Sequence, residues 1–380
     1  MSAAPSTLPA PDLAGVGRAF AGAGDFISAV PHGGGHINDT FLATYAGAAG
    51  PIRRVLQRIN ETVFRHVPAL MENVARVTAH ATDRLSGSAG QRSLRLIPAQ
   101  AGGFSHRDVT GGWWRCYEFM AGAHTEDHIQ RPDQARAAAR AFGEFQRVLS
   151  DLPGARLHET IPDFHHTRRR FEALQRAVTA DPLRRVAAAR EDIAQAFGRE
   201  PLVDTMLALH RRGVIPERVT HNDAKLGNVL LDDVTGAAVC VIDLDTVMPG
   251  FAPFDFGELV RSGTSTAPED ERDLSRICAR RDIFEALVEG YLSAAGAFLN
   301  AAEIANLAFA GRVMTYENGI RFLADHLKGD VYYKITRPGQ NLDRARSQFA
   351  LLRSLEAQQT DFEDIVRKYA GSLAEGDAIA

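Results

Sequence analysis

The sequence predicts an α+β protein in which a small antiparallel sheet is followed by a larger, mainly helical region. Alternating apolar and polar residues, the pattern of a strand, occur in the first third of the chain, as in residues 53–59. After residue 131, apolar side chains recur at helical spacing, as at Phe142, Phe145 and Leu149. One predicted hairpin, around residues 220–245, interrupts the helices. Strands first and helices afterwards indicate two lobes.

The predicted elements follow in chain order. We expect a helix around 13–20, strands at 53–59, 93–97 and 113–119, and a helix at 68–85. The last of these rests on Leu70, Val74 and Val77, which are spaced to share one helix face. Further helices are expected from residue 131, and over 186–210, 283–298, 302–327 and 343–369.

Length and composition allow two cores. The chain has 380 residues, of which 45% are hydrophobic and 24% are charged. We expect a flexible N-terminal arm at 1–24, a small N-lobe at 25–120 and a larger C-lobe at 121–380. The formal net charge of -4 leaves no basic footprint for nucleic acid.

The sequence also indicates the cellular setting. No apolar run approaches the ~20 residues that span a bilayer, and the first residues lack the basic and apolar regions of a signal peptide. Cys116, Cys240 and Cys278 are far apart and form no metal or redox motif. We therefore expect a reduced, cytoplasmic protein with neither a membrane nor a nucleic acid as partner. The oligomeric state is not predicted.

The most informative segment is residues 220–228, Thr-His-Asn-Asp-Ala-Lys-Leu-Gly-Asn, followed at 239–245 by an apolar strand that ends in an acid. The order His-x-Asp-x-Lys-x-x-Asn before such a strand is typical of the catalytic loop of phosphoryl-transfer enzymes. Asp223 would orient an acceptor hydroxyl and take its proton, and Lys225 would meet phosphate oxygens.

Two further residues of this segment suit a metal. Asn228 and Asp243 would hold Mg²⁺, which prefers one or two carboxylates together with phosphate oxygens. A structural alternative exists for each residue, because Asp223 and Asn228 could cap a turn and Asp243 could simply end a strand. The combination favours the catalytic interpretation. His221 is expected to brace the loop rather than to carry a proton.

A glycine-rich turn precedes the first long strands. Glycines at 33–35 allow a tight turn and positive φ angles. In a phosphoryl-transfer protein this turn would cover the nucleotide phosphates through Gly34, Gly35 and Asn38. The alternative is an ordinary hairpin turn.

The first lobe contains no lysine, because the first lysine of the chain is Lys225. Kinase folds normally use a lysine on the third strand to hold the α- and β-phosphates. Here the task would fall to Gln57 or Arg58, which point to opposite faces of the strand, and charge favours Arg58. Glu72, on the following helix, would pair with this basic residue; the alternative is a solvated glutamate.

The strand at 113–119 leads into a glycine-containing connector. Such a connector suits an adenine-binding hinge, which needs backbone groups and an apolar slot. Glu118 and Met120 would then contact the nucleotide. A core strand followed by a turn explains the same residues.

Several stretches together carry a resemblance to a known family. They are residues 35–38, 56–60, 70–73, 242–250, 317–333 and 341–346. With the catalytic segment, they make the chain similar to the aminoglycoside phosphotransferase and choline kinase family, which has a protein-kinase-like bilobal fold. Within that family the sequence resembles bacterial N-acetylhexosamine 1-kinases.

The resemblance implies that ATP and Mg²⁺ are used to convert N-acetylglucosamine or N-acetylgalactosamine to the sugar 1-phosphate. Asp223 would activate the anomeric hydroxyl, and the backbone of residues 118–120 would hold adenine. Another small-molecule kinase of this fold, acting on a different sugar, an aminoglycoside, choline or homoserine, remains an alternative. A non-catalytic nucleotide-binding regulator is a third.

A sugar pocket requires a few directed polar groups and an aromatic or apolar wall. Glu317, Arg321 and Asp325 recur at four-residue spacing, so a helix would place them on one face. We expect Arg321 and Tyr332 to contact the sugar, and Asp245 to act on the substrate side. The alternative is a surface ladder of charges.

Two other polar groups are expected to be structural. Asp255, within a Phe-Asp-Phe-Gly run, is expected to tether the catalytic loop rather than to bind metal. The neighbouring His165 and His166 are expected at the surface, without a metal, because adjacent residues do not share a helix face.

Overall fold

The computed structural model describes residues 11–22, 24–33, 37–86 and 92–377, with side chains described to residue 372. It confirms the α+β arrangement of an antiparallel sheet in the N-terminal region and helices in the C-terminal region. The chain forms two units. The first comprises Met1–Asp83 and Ser93–Ala121, and the second comprises Arg84–Arg92 and Gly122–Ala380.

The first unit is built on a five-stranded sheet in which neighbouring strands are antiparallel and the order is β1-β2-β3-β5-β4. Its strands are β1 (Asp25–Pro31), β2 (Asp39–Gly47), β3 (Gly50–Arg58), β4 (His106–Arg107) and β5 (Trp113–Glu118). Its helices are α1 (Leu13–Arg18) and α2 (Val67–Leu85), the end of which passes into the second unit.

One face of this sheet carries a buried apolar cluster. Leu56 on β3 and Trp114 and Cys116 on β5 pack with Val16 and Phe20, which lie in and just after α1. Because side chains alternate along a strand, Gln57 belongs to the opposite face, as the sequence pattern predicted.

The strand predicted at 93–97 is wrong. This segment runs beside β5 with only an isolated bridge between Leu96 and Tyr117. Two backbone hydrogen bonds, from Ile97 to Cys116 and from Glu118 to Arg95, have lengths of 2.8 and 3.0 Å. Pro98 follows directly and has no N–H to donate, so the ladder cannot continue.

The second unit is mainly helical. Its helices are α3 (Pro132–Leu149), α4 (Thr167–Ala180), α5 (Arg190–Phe197), α6 (Thr205–Arg211), α7 (Ala252–Gly263), α8 (Arg281–Ala295), α9 (Ala301–Ala305), α10 (Leu307–Lys328), α11 (Gln340–Ala357) and α12 (Gln359–Asp377). Its strands are β6 (Ala123–His124), β7 (Arg218–Thr220), β8 (Val229–Asp232), β9 (Ala238–Val241) and β10 (Met248–Gly250). They form the sheet β6-β8-β9 and the pair β7-β10.

Three helices that the sequence predicted as continuous are interrupted. The span 186–210 breaks between α5 and α6, where Gly198 ends one helix and Pro201 lacks an N–H. The span 302–327 breaks at Asn306, whose side chain donates to the Ala302 carbonyl at 2.8 Å. The span 343–369 breaks at Gln358, whose amide donates to the Ala279 carbonyl at 3.0 Å. In the last two cases a polar side chain competes for hydrogen bonds at the break.

Close helix packing in the second unit depends on glycine. A Cβ added at Gly290 on α8 would lie 2.2 Å from the carbonyl oxygen of Arg136 on α3. One added at Gly143 on α3 would lie 2.8 Å from the carbonyl oxygen of Tyr291. The backbones of α3 and α8 therefore lie closer together than a residue with a Cβ atom at either position would permit.

Helix α10 is the central helix of the second unit. Most of its residues are buried, and it packs against α4, α7 and α11. Among the helices of the described residues, none has both the length and the apolarity needed to cross a membrane.

Candidate active site

The predicted catalytic loop connects β7 to β8. Strand β7 ends at Thr220, which pairs with Met248 on β10, and β8 begins at Val229 directly after Asn228. Asn222 adopts a left-handed backbone conformation with φ of 64°, which costs energy for a non-glycine residue. Surrounding hydrogen bonds hold it there.

Asp255 on α7 provides the first of these bonds. Its carboxylate is buried and accepts the backbone N–H groups of His221 and Asn222 at 2.8 and 2.7 Å. The side chain of Gln146 donates to the same carboxylate at 2.6 Å. Burial raises the pKa of Asp255 above its ordinary value, although these donors oppose the shift. The prediction that Asp255 tethers the loop is confirmed.

His221 braces the loop from inside. Its ring is fully buried, with Phe142 and Phe145 packed edge-on at centroid distances of 5.1 and 5.8 Å. Nδ1 accepts the backbone N–H of Asp223 at 3.3 Å, so Nε2 carries the proton and donates to the Ile242 carbonyl at 2.9 Å. Both ring nitrogens are thus engaged with the backbone, as expected for a bracing residue.

Asp223 presents a carboxylate that is ionised and reachable. Its Oδ2 accepts from Lys225 Nζ at 2.8 Å and from Asn228 Nδ2 at 2.9 Å, and 30% of its side chain is exposed. Burial acts to raise the pKa of Asp223, but the adjacent Lys225 ammonium and the hydrogen bonds outweigh it and lower the pKa. In return, the Asp223 carboxylate raises the pKa of Lys225.

The amide of Asn228 has a fixed orientation. Its Nδ2 donates to both the backbone oxygen and the side chain of Asp223, at 2.8 and 2.9 Å. The remaining atom, Oδ1, is therefore the one that a cation could meet. The Ile242 N–H donates to the Asn228 carbonyl at 2.9 Å, which brings Asp243 to the same end of the β8–β9 hairpin.

Asp243 and Asp245 follow β9 in a tight turn. Asp243 is exposed and has a φ of 61°, whereas Asp245 is buried. The Thr246 hydroxyl donates to the His221 carbonyl at 2.8 Å, and Asn222 Nδ2 donates to the Thr246 carbonyl at 2.9 Å. The turn that carries both acids is thus fastened to the catalytic loop.

These donors suit a hard cation. A carboxylate at Asp243 and an amide oxygen at Asn228 match the oxygen ligands that Mg²⁺ prefers. Within the described part of the chain, no group of three or more His, Cys, Asp or Glu side chains could hold a metal alone. The remaining ligands would have to come from water and phosphate oxygens, which is how Mg²⁺ is usually bound beside nucleotides.

A second polar group lies around Arg321 on α10. The guanidinium lies over the ring of Phe164 at 4.9 Å and over that of Tyr333 at 5.8 Å. Within the described residues it makes these ring contacts but no hydrogen bond. The Tyr333 hydroxyl is buried and also has no hydrogen-bond partner among those residues, and burial raises its pKa to about 12.

The other members of the predicted α10 face have structural roles. Glu317 is fully buried and accepts from the Thr167 hydroxyl at 2.7 Å. Asp325 accepts the backbone N–H groups of residues 331–333, at 2.9–3.1 Å, and so fixes the loop after α10. In that loop Tyr332 is 47% exposed and meets Tyr333 edge-on at 4.8 Å. The sequence indicated Tyr332, whereas the tyrosine that lies against Arg321 in the structure is Tyr333.

The expectation that His165 lies at the surface is wrong. Its side chain is 7% exposed and is packed against Phe164 and Phe254. Nδ1 lies 2.7 Å from Glu317 Oε1, and Nε2 lies 2.8 Å from the Asn222 carbonyl oxygen. The contact with Glu317 spans 152 residues of sequence, so no local pattern could reveal it.

The predicted nucleotide-binding residues of the first unit include Gly34 and Gly35, which lie outside the described residues. Asn38 is 9% exposed, and its Oδ1 accepts the Asn60 backbone N–H at 3.0 Å. Asn60 Nδ2 donates in return to the Ile37 carbonyl at 3.2 Å. Asn38 therefore joins the start of β2 to the end of β3.

Gln57 and Arg58 have different neighbours. Gln57 Nε2 donates to the Thr40 hydroxyl at 3.0 Å, and its Oε1 accepts from Arg115 Nε at 3.0 Å. Arg58 lies against Gly112, where an added Cβ would be 2.8 Å from Arg58 Nε. The sequence missed Arg115, a fully buried cation directly opposite Gln57 in the β3–β5 register.

Three other predicted nucleotide contacts lie on α2 and around the end of β5. Glu72 is exposed, with its carboxylate 4.0 Å from Arg76 one turn later. Glu118 is the exposed last residue of β5 and donates its N–H to the Arg95 carbonyl at 3.0 Å. Met120 follows just before the chain enters the second unit. Their roles toward a nucleotide stay predictions.

Comparison with known proteins gives a family match and several structural likenesses. The family described as APH, phosphotransferase enzyme family, matches residues 28–301. An aminoglycoside phosphotransferase from Alicyclobacillus acidocaldarius superposes with a TM-score of 0.56 at 14% identity, over 97% of this chain and 98% of that one. A choline kinase from Cryptosporidium parvum gives 0.54 at 15% identity, over 90% and 93%. A microcompartment-associated aminopropanol kinase gives 0.53 at 16% identity, over 90% and 96%. At such identities these likenesses concern the fold.

Proposed function

Because the chain belongs to the APH phosphotransferase enzyme family and is therefore a small-molecule phosphotransferase, we propose that it is an N-acetylhexosamine 1-kinase. The reaction transfers the γ-phosphoryl group of ATP, with Mg²⁺, to the anomeric hydroxyl of N-acetylglucosamine or N-acetylgalactosamine. The observation that carries the proposal is the Asp223 carboxylate held by Lys225 and Asn228 at 2.8 and 2.9 Å. That arrangement provides a base, a cation and an amide oxygen at one place.

The chemistry follows from these groups. Asp223 accepts the proton of the acceptor hydroxyl as its oxygen bonds to the γ-phosphorus, and the bond between that phosphorus and the ADP oxygen breaks. Lys225 supplies positive charge for phosphate oxygens while keeping Asp223 ionised. Asn228 and Asp243 would hold Mg²⁺, which when bound neutralises charge on the phosphates.

The surroundings of Arg321 support a sugar as the acceptor. An arginine resting on two aromatic rings has little freedom left to lose, so its donors are pre-oriented for hydroxyl or carbonyl oxygens. The Phe164 and Tyr333 rings lie against the guanidinium and hold it in place. We propose that Arg321 and Tyr332 contact the sugar, with the buried Tyr333 hydroxyl beside them and Asp245 on the substrate side.

The same cluster disfavours a cationic acceptor. Choline-type ligands are held by aromatic faces that are free to receive the cation. Here the Arg321 guanidinium already occupies two such faces. Arg170 is a second basic residue close to Arg321: burial lowers the pKa of Arg170, and repulsion from the Arg321 charge lowers it further. A choline or an aminoglycoside would meet like charge there, whereas a neutral N-acetylhexosamine would not.

The nucleotide-binding roles complete the proposal. We propose that the nucleotide phosphates are bound by Gly34, Gly35, Asn38 and Arg58, and that Glu72 on α2 pairs with Arg58. Glu118 and Met120 would contact the adenine. The proposed domain roles are an N-terminal arm at 1–24, of which Val16 and Phe20 pack on the sheet, a nucleotide-covering lobe at 25–120 and a catalytic and sugar-binding lobe at 121–380. We also place the protein in the cytoplasm, which suits three cysteines that form no disulfide.

Release of ADP from Mg²⁺-ATP in the presence of different acceptors tests the proposal. The set would contain N-acetylglucosamine, N-acetylgalactosamine, glucose, choline, homoserine and an aminoglycoside. The proposal predicts turnover on the N-acetylhexosamines and little on the cationic acceptors. Turnover on choline or the aminoglycoside alone would keep Asp223, Asn228 and Asp243 in their roles but remove the sugar assignment of Arg321.

A further inference from the structure

His165 connects two parts of the second unit that carry different functions. It lies just before α4, and its ring is between the carboxylate of Glu317 on α10 and the backbone oxygen of Asn222 in the catalytic loop. The two contacts measure 2.7 and 2.8 Å. His165 and Glu317 are both buried, with 7% and 0% of their side chains exposed, so water does not replace either contact.

Both nitrogens of this ring face acceptors. The Asn222 carbonyl oxygen can only accept, and Thr167 already donates to the second oxygen of Glu317 at 2.7 Å. Burial acts to raise the pKa of Glu317, but His165, Arg321 and Thr167 together lower it, which keeps the carboxylate ionised. His165 thus contacts an acceptor with each of its ring nitrogens, Nδ1 and Nε2, which makes it a two-ended clamp.

One end of the clamp fixes the residue before the proposed base. Asn222 has the strained φ of 64°, and its N–H is held by Asp255 at 2.7 Å. Its carbonyl, held by His165, belongs to the peptide group that leads into Asp223. The backbone on both sides of Asn222 is thus fixed, and with it the direction of the Asp223 side chain.

The other end of the clamp reaches the helix of the proposed sugar site. Glu317 lies one helical turn before Arg321 on α10. Arg321 in turn lies over Phe164, the neighbour of His165, at 4.9 Å. A sugar bound to Arg321 would therefore be connected, through Phe164 and Glu317, to His165, which holds the catalytic loop.

We propose that His165 is a positioning residue for phosphoryl transfer, which joins the sugar-binding face of α10 to the Asp223 loop through Glu317 and the Asn222 carbonyl. The inference rests on the proposed function in taking Asp223 as the base. A displacement of about 1 Å at a reacting group can reduce a rate by about 100-fold. Loss of the clamp should therefore act on kcat rather than on nucleotide binding.

The first test compares His165→Ala with His166→Ala, using the acceptor that the wild-type protein turns over fastest. His166 is the adjacent residue, and its Nδ1 accepts from the Arg169 backbone at 3.4 Å at the start of α4. We expect His165→Ala to lower kcat roughly 10- to 100-fold with the KM for ATP unchanged, and His166→Ala to leave both constants near wild type. Equal kcat values for His165→Ala and the wild type would overturn the inference.

The second test separates positioning from simple stability. In Glu317→Gln the amide can still accept from Thr167 and donate to Nδ1 of a neutral His165, which keeps Nε2–H on the Asn222 carbonyl. We expect this variant to retain most of kcat, and Glu317→Ala to lose it as His165→Ala does. Equal losses of kcat in Glu317→Gln and Glu317→Ala, with both proteins folded by circular dichroism, would show that the hydrogen bond between residue 317 and His165 does not control kcat.

A reference variant separates failure of the clamp from failure of the proposed base. Asp223→Asn serves as reference: if it stays active while His165→Ala does not, the fault lies in the proposed base rather than in the clamp.

Discussion

The side-chain amide of Asn228 donates to Asp223 twice, to the backbone oxygen at 2.8 Å and to the carboxylate at 2.9 Å. This relationship orients both residues. It leaves Asn228 Oδ1 for a cation, and it holds one oxygen of the Asp223 carboxylate in place so that the other can meet an acceptor hydroxyl. A single pair of residues thereby couples the proposed base to the proposed metal site.

Replacement of Asp223 by asparagine should remove the proton acceptor while keeping the shape of the loop. General-base catalysis contributes about 10²–10⁴-fold to rate, so we expect ADP release to fall by about that factor. Nucleotide affinity, measured by calorimetry, should change little, because the base acts only in the transition state. Asp133→Asn, at an exposed acid in the first turn of α3, is the control. Undiminished turnover in Asp223→Asn would contradict the assignment.

Replacement of Asp243 by asparagine should weaken the metal site. The amide keeps an oxygen but loses the negative charge that Mg²⁺ prefers. The Mg²⁺ concentration for half-maximal ADP release should rise by about 10- to 100-fold, which is the loss of metal affinity typical of mutations around a metal site. The control is Asp233→Asn, because Asp233 lies on the β8–β9 turn and pairs with His124 at 2.7 Å. An unchanged Mg²⁺ requirement would exclude Asp243 as a ligand.

Replacement of Arg321 by alanine should raise the KM for the acceptor. Hydrogen bonds to a charged group contribute roughly 1.5–3 kcal/mol, which corresponds to roughly a 10- to 100-fold change. The KM for ATP should stay the same. Arg312→Ala is a matched control, because Arg312 also lies on α10 over an aromatic ring, that of Phe309 at 5.1 Å. If both variants raise the acceptor KM alike, Arg321 has no special role.

Asp108 should make the stability of the first unit depend on acid pH. Burial acts to raise its pKa, but donors on Thr110, Trp114 and Gly112 lower the pKa from 3.8 to about 2. A carboxyl with a depressed pKa stabilises the fold above its unfolded pKa, and this stabilisation is lost as pH falls through the folded one. Asp108→Asn should therefore lower the free energy of unfolding at neutral pH and reduce its decline between pH 3.8 and about 2.

Urea denaturation at a series of pH values would measure this effect. Asp25→Asn, at the exposed start of β1, should leave the pH dependence as it is in the wild type. A decline of the same size in Asp108→Asn as in the wild type would refute the role given to these hydrogen bonds.

The catalytic loop was predictable because its geometry is local. Asp223, Lys225 and Asn228 lie within six residues, and the strand that follows determines where Asp243 must be. Asp255 could be given a structural role because the loop already contained a base and a metal ligand. The sheet before the helices could be predicted for the same reason, since alternation along residues 53–59 and helical spacing after 131 are local signals.

The Arg321 cluster was only half predictable. Four-residue spacing correctly placed Glu317, Arg321 and Asp325 on one face of α10, but spacing does not show what packs on that face. Phe164, which is distant in sequence, lies against Arg321, and the Glu317 carboxylate is bound to His165 and so does not face a sugar. Such contacts depend on how α4 meets α10, which local periodicity does not specify.

The helix ends and the strand cation were missed for a different reason. At Asn306 and Gln358 a side-chain hydrogen bond interrupts a helix that propensity would have continued. Arg115 was missed because its importance comes from its position opposite Gln57, which depends on strand register. Register is set by pairing between β3 and β5, strands separated by α2 in the sequence.

The central claim concerns where the phosphate goes, and phosphorus NMR of the product tests it most directly. The protein would be incubated with Mg²⁺-ATP and N-acetylglucosamine, and the coupling of the product phosphorus to sugar protons would be recorded. We predict a phosphorus coupled to the anomeric proton, as in the sugar 1-phosphate. A phosphorus coupled to protons of another carbon, or ADP released without a phosphorylated sugar, would contradict it.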